Sequence, residues 1–334
     1  MPTGHYRFRR SLGNVSSLFR GARPDTYPLF TGLLDSYPGA AAAYSLRALS
    51  SGWLAGDVVE VRPSSGWTPA SFTAGQVANG EMVDYVKRCG NFTNDGFETL
   101  VNNGEGDGFT ATNTAVTGFA RSSSISGGIS DVVVVDFDLE IVSGSPSISL
   151  RATNTQRSNL ITYSTSGSKT ATLTATGNFD NFTFSEGDIP SEFTVSNVRV
   201  STNDGFVSTE YDQSGATVRD GTQITTTAQI KIVDAGAVVL DGNSNVSTLW
   251  DGIDDDLDVV AGFAGLTAAN VYAVTDNAGV VTLDTLTAQD ISLATNLSTI
   301  LTSLTYSKVT AVVIYPDATD QAGIQTAIND LFGI

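Results

Sequence analysis

Trp53, Trp67, Tyr211 and Trp250 are the rings of this chain best suited to lie beneath a sugar, and Asp212 stands next to one of them as a hydrogen-bond acceptor for sugar hydroxyls. Packing in a core is the competing use of every such ring, and of Tyr211 above all, at the end of a strand. Cleaving a glycosidic bond would take two carboxylates about 5 to 9.5 Å apart. Asp212, Asp251, Asp254, Asp255 and Asp256 are the best clustered of the thirty-five acidic residues. Turn-forming, solvated aspartates are the simpler account of so many acids. Asp241-Gly-Asn243-Ser-Asn245 has the alternating oxygen donors that open a calcium loop, which makes calcium the one cofactor suggested here. Val246 stands where such a loop wants glycine, and no glutamate closes it. His5 is the single histidine and Cys89 the single cysteine, so a Ser-His-Asp triad, a Cys-His pair, an intrachain disulfide and a thiolate zinc site have no material.

The elements that must position these residues are strands. Only 16% of the 334 residues are charged, and Thr, Ser, Gly, Val and Asp dominate, a composition for short strands and tight turns in an all-β protein of two domains. The net charge of −18 is unevenly spread. Arg7, Arg9, Arg10, Arg20 and Arg23 fall in the first 23 residues, while only Arg219, Lys231 and Lys308 are basic from Ser201 onward. The body should repel nucleic acid and anionic membranes, and the arginines read as a docking arm for an acidic protein surface. A loose, solvated tail is the plainer alternative for this segment. No run approaches the ~20 apolar residues of a membrane span, and none near the N-terminus resembles a signal peptide, so the expectation is a protein that is not exported. The five N-x-S/T sequons are then chance products of composition.

Asn94-Asp95-Gly96-Phe97 returns 109 residues later as Asn203-Asp204-Gly205-Phe206, close to the ~100 residues of a small sandwich. The simplest layout is an extended arm at 1–28, a discontinuous domain at 29–90 and 203–334, and an inserted module at 91–202. Within the module, Val135, Phe137, Leu139 and Ile141 alternate with Asp136, Asp138 and Glu140, the period of a half-buried strand. Around Ser196-Asn197 the apolar phase slips by one, the mark of a bulge. Outside the module, strands are expected at 58–62, 206–211, 229–233, 237–240 and 309–315. Residues 76–86 have weak helical spacing, and 40–49 and 293–304 stay ambiguous. A terminal helix capped by Asp320 should face inward with Ile324, Ala327, Ile328 and Leu331 and stop at Gly333.

Three stretches resemble a known family: Leu33 to Arg47 with Val59-Glu-Val-Arg62, Asp204 to Gly215 with its Tyr-Asp-Gln-Ser-Gly run, and Val312-Val-Ile-Tyr-Pro316. They look like the concanavalin-like β-sandwich of α-L-arabinofuranosidase B catalytic domains and of phage structural proteins that share it. Residues 91–202 look like the jelly roll of carbohydrate-binding modules in phage tail proteins. The enzymes' long segment with the catalytic acids has no counterpart here, so no catalytic residue carries over. The resemblance implies a non-enzymatic bacteriophage virion protein of tail, fibre or head, assembled in the host cytoplasm. Its arm would hold other virion proteins, its lectin-like sandwiches would touch cell-surface glycans, and it would form a symmetric homo-oligomer. An arabinofuranosidase-like glycoside hydrolase is the alternative.

Overall fold

The computed structural model describes residues 31–334 apart from 67, 105, 115–116, 123–131, 154–157, 159, 180, 188, 202, 216, 260 and 318–320. The arginines at 7, 9, 10, 20 and 23, together with Trp67 and Asp320, lie outside the described residues. Among the described residues 46% are in strands and 14% in helices, so the protein is all-β.

The chain opens with a one-turn helix α1 (Leu33–Ser36), then β1 (Ala42–Ser45), β2 (Asp57–Pro63), β3 (Ala70–Thr73), α2 (Ala74–Ala78) and α3 (Glu81–Val86). Thr73 and Gln76 exchange hydrogen bonds in a capping box that starts α2. Gly80, at φ +81°, splits the helical spacing of 76–86 into two short helices. Ten strands follow: β4 (Thr93–Asp95), β5 (Thr99–Asn102), β6 (Phe109–Asn113), β7 (Gly118–Arg121), β8 (Val132–Ser143), β9 (Ile148–Thr153), β10 (Ile161–Tyr163), β11 (Gly167–Thr174), β12 (Asn181–Glu186) and β13 (Ser191–Val200). The remainder holds β14 (Gly205–Glu210), β15 (Gly221–Thr222), β16 (Lys231–Asp234), β17 (Ala237–Val238), β18 (Thr248–Leu249), β19 (Asp258–Val259), β20 (Ala269–Asn277), β21 (Val280–Gln289), α4 (Leu297–Leu301), β22 (Lys308–Tyr315) and α5 (Gln321–Phe332).

Strands β4 to β13 form two five-stranded sheets, in the orders β10-β9-β12-β7-β4 and β11-β8-β13-β6-β5. They close on one core from Cys89 to Val200 that is rich in phenylalanine. The alternation along β8 does what its period dictates for Val135, Phe137 and Leu139, which are buried, while Ile141, nearer the strand end, is half-buried. The bulge is present too, as a register shift between Ser196 and Arg199 with Asn197 at φ +54°.

The remaining twelve strands are hydrogen-bonded into one folded sheet. One layer is β3-β2-β14 with β15 and β16; the other is β1-β22-β20-β21, joined to the first through β18. Between the layers lie Val59, Val61, Val207, Ile230, Ile232, Val271, Val312 and Ile314. The opposite face of the second layer, with Tyr272, Val274, Val313 and Tyr315, is covered by Ile324, Ile328 and Phe332 of α5. The helix buries Phe332 where the spacing had placed Leu331, and Ala327 stays half-buried. β20 and β22 are therefore covered on both faces, and nearly every residue in them is buried.

The two sandwiches meet at the ends of β13 and α3. Val200 N donates to Lys87 O at 2.8 Å, and the Asn203 amide donates to both Val86 O and Arg88 O at 3.1 Å. Arg199 forks onto Asp84 (2.7 and 3.0 Å) and reaches Asp107 at 2.8 Å. The two Asn-Asp-Gly-Phe runs are different structures. Asn94 closes a local turn on Phe97 with Gly96 at φ +103°, whereas Asn203 ties separate segments and Gly205 begins a strand.

Candidate functional site

The end of β14 and the start of β2 bring two of the candidate rings onto neighbouring residues. Trp53 closes a short 3₁₀ turn and donates its indole N–H to Asp57 O at 3.1 Å. A side chain at Gly56 would meet this ring at 3.0 Å, so the glycine lets the indole lie against the backbone. Tyr211 N donates to Val58 O at 3.1 Å, and its hydroxyl lies 2.9 Å from Ser71 Oγ. Both rings are half-buried. Burial raises the Tyr211 hydroxyl above the usual phenol range, and the charges of Glu60, Asp57 and Asp220 add to the effect. Trp53 and Tyr211 are thus each fixed and partly exposed on the adjoining residues Asp57 and Val58, with the charges of Asp57, Glu60 and Asp220 acting on the Tyr211 hydroxyl.

Directly behind it, the Tyr-Asp-Gln-Ser-Gly run works as a brace. Asp212 is buried, and its carboxylate accepts from Ala43 N, Ser214 N and Ser214 Oγ, each at 2.9 Å. Gln213 accepts from Leu49 N at 2.8 Å and donates to Ser45 O at 2.7 Å and Arg47 O at 2.9 Å. Together they pin β1 and the loop after it to the turn that follows β14. The Tyr44 hydroxyl donates to Arg219 O, and Arg219 reaches back to Ala41 O (2.7 Å) and Gly262 O (3.0 Å). Asp212, expected to face sugar, instead faces the chain: its oxygens are taken by protein donors, and burial pushes its carboxyl up.

Glu210 was missed by sequence reasoning. Burial pushes its carboxyl up to about 7. Strict alternation from Gly205 and Val207 would turn position 210 outward, but β14 slips register against β2 between Val207 and Thr209 and turns Glu210 in. Gln213, which does as much bracing as Asp212, stands in the Tyr-Asp-Gln-Ser-Gly run that carries the resemblance, but nothing marked it as a brace because a lone glutamine in a turn has no spacing to read.

Three further expectations are corrected. Trp250 is 5% exposed, with its N–H on Thr248 Oγ1 (2.9 Å) and its ring edge-on to Tyr306; it is core. Asp241, Asn243 and Asn245 do come together, but as a clasp and not as a calcium loop. Asp241 accepts from Asn243 N (2.9 Å), Asn245 N (2.8 Å) and Thr310 Oγ1 (2.9 Å), which occupy the carboxylate a cation would need. The Asn243 and Asn245 amides donate to Gly333 O and Phe332 O, each at 3.0 Å, closing the end of α5. The acidic run also divides. Asp251, Asp254 and Asp255 place one oxygen each within 4.8 Å of one another, and burial first, then the two neighbours, pushes Asp255 up to about 6. Asp256 turns away to accept from Leu257 N and Ser298 N.

In the inserted module, the outward face of β8 and its neighbours is a polar ladder without an aromatic. Ser168 and Asn197 donate to Asp138 (2.6 and 2.7 Å), and Thr170 donates to Asp136 (2.6 Å). Thr110 and Thr194 share a hydrogen bond at 2.9 Å.

No protein-family profile and no curated protein matches this sequence. Solved structures similar to about a third of it include a mutant family 29 carbohydrate-binding module, at 15% identity over 32% of this chain and 78% of that one with a TM-score of 0.24. Another is the module TmCBM61 in complex with β-1,4-galactotriose, at 11% identity over 34% of this chain and 90% of that one with a TM-score of 0.25. A third is the enzymatically active domain of bacteriophage CBA120 tailspike protein 4, at 12% identity over 34% of this chain and 20% of that one with a TM-score of 0.24.

Proposed function

We propose that this chain is a non-enzymatic bacteriophage virion protein, held on the particle through residues 1–28, whose sandwiches bind glycans. The observation that carries the glycan reading is the Trp53–Tyr211 corner: two half-exposed rings anchored on Asp57 and Val58, with Asp57, Glu60 and Asp220 beside them. The non-catalytic reading rests on Asp212 being engaged as a structural acceptor. The particle reading rests on the resemblance of the Tyr-Asp-Gln-Ser-Gly and Val-Val-Ile-Tyr-Pro stretches and on the arginine-rich leader. A glycan array followed by calorimetric titration tests the binding. Trp53→Ala and Tyr211→Ala should each weaken the best ligand at least roughly tenfold, the size of losing one stacked ring. Binding that survives both changes removes the corner from the reading.

A glycoside hydrolase is the second reading, favoured by one observation. Glu210, whose carboxyl burial raises to about 7, has the acidity of a general acid, and the reading requires the strand end that covers it to open to a sugar. Incubating arabinoside and array-positive oligosaccharides with the protein decides it. Release of sugar that stops in Glu210→Gln would establish the hydrolase.

A further inference from the structure

We propose that β21 is an association edge, at which two copies of this chain pair antiparallel about a two-fold axis through Leu283. A strand at the rim of a sheet carries an unpaired row of N–H and C=O groups, and folded proteins blunt such rims by shortness, lysine, proline or bulges. Among the described strands the other rims are blunted. β1, β3, β4, β5, β10, β17 and β19 have two to four residues, and the eight-residue β11 carries Lys169.

β21 is different. It has ten residues, Val-Val-Thr-Leu-Asp-Thr-Leu-Thr-Ala-Gln, with no lysine, arginine or proline, and among the described strands it pairs with β20 alone. Val280 to Leu286 run in unbroken register against Asn277 to Val271, and the one register shift falls beyond them. No residue of β21 is buried, although eight of the nine in β20 are. Val281 and Leu283 lean on the α5 side, Leu286 leans on the inter-layer core, and Val280 is 63% exposed.

Charge selects the register. A two-fold axis at Leu283 sets the whole regular stretch against itself, with Val280 opposite Leu286 and Thr282 opposite Asp284 of the second copy. Asp284 already accepts from Thr275 Oγ1 (2.6 Å) and Thr282 Oγ1 (3.4 Å), so a threonine of the other copy extends an existing pattern. An axis one residue later would face Asp284 with its own image, which is unfavourable. The net charge of −18 opposes association at long range, so added salt should tighten the pair.

Sedimentation equilibrium of the full chain at micromolar concentration should return a dimer, and more of it with added salt. Under mild oxidation Leu283→Cys should give a covalent dimer, since directly opposed Cβ atoms lie about 4.5–5.5 Å apart, near disulfide reach. The native Cys89 is buried and does not compete. Thr287→Cys should give none, because its twin would lie roughly 27 Å away along the strand. Leu283→Lys should yield monomer; should that variant fail to fold, the two cysteine variants still decide. A monomeric wild type, cross-linking at 287 instead of 283, or a larger assembly without the 283 disulfide overturns the proposal, the last by giving the rim to another segment.

Discussion

The two sandwiches are built from the same strand chemistry and held together differently. In the inserted module, Phe92, Phe97, Phe109, Phe137, Phe182, Phe184 and Phe193 form one net of tilted and edge-to-face rings, with Phe184 touching four of the others. The discontinuous sandwich is filled with Val, Ile, Leu and Ala, and it fastens its loops with buried side chains aimed at backbone: Asp212, Gln213, Asp241 and Asp276. Aromatic packing concentrates stability in a few large groups. Polar bracing spreads it over strand ends, where each lost partner strands a buried donor or acceptor.

The largest test of this contrast is Phe184→Ala, which should cost about 3 to 5 kcal/mol in the inserted module. All three tryptophans lie outside residues 91–202, so tryptophan fluorescence reports the discontinuous sandwich alone. Calorimetry should reveal an early transition that the fluorescence does not follow. A single shifted transition seen by both methods would mean that the two cores unfold as one unit. Gln213→Ala should cost roughly 3 kcal/mol, since Leu49 N, Ser45 O and Arg47 O all lose their partner. Here the tryptophan signal should fall first.

A third effect, of about the same size, sharpens the same contrast through pH. With the Glu210 carboxyl raised to about 7 from an ordinary 4.5, the folded chain holds a proton that the unfolded chain releases earlier. The contribution of this group is therefore full below about pH 4.5 and is lost as pH rises through 7, by about 3 kcal/mol in all. Glu210→Gln should flatten that decline in the tryptophan-detected transition. An unchanged slope would place the pH dependence elsewhere.

The sequence announced this fold where one face of a strand meets water. Val135 to Leu139 and the bulge at Asn197 could be read because alternation survives there. The hairpin of β20 and β21 escaped notice because β20 is covered by the other layer on one side and α5 on the other, and a strand buried on both faces has no alternation to show. The site was legible in part. Trp53 and Tyr211 follow from residue type, and their anchoring on the adjacent residues Asp57 and Val58 depends on a 3₁₀ turn and a strand end that no short-range pattern encodes. Trp250 and Asp241 were misplaced for one reason: whether a ring or a carboxylate faces solvent or protein is decided by distant residues, here Tyr306 and Thr310.

The junction at Lys87 and Val200 has a consequence for how such a chain could arise. The two ends of a segment more than a hundred residues long stand one backbone hydrogen bond apart, and a single asparagine at 203 staples both flanks. Lengthening a connection between fixed, adjacent points adds little closing entropy, because that cost grows only with the logarithm of length. The length of the module therefore weighs little on the surrounding sandwich, whose own registers are set on either side of the seam.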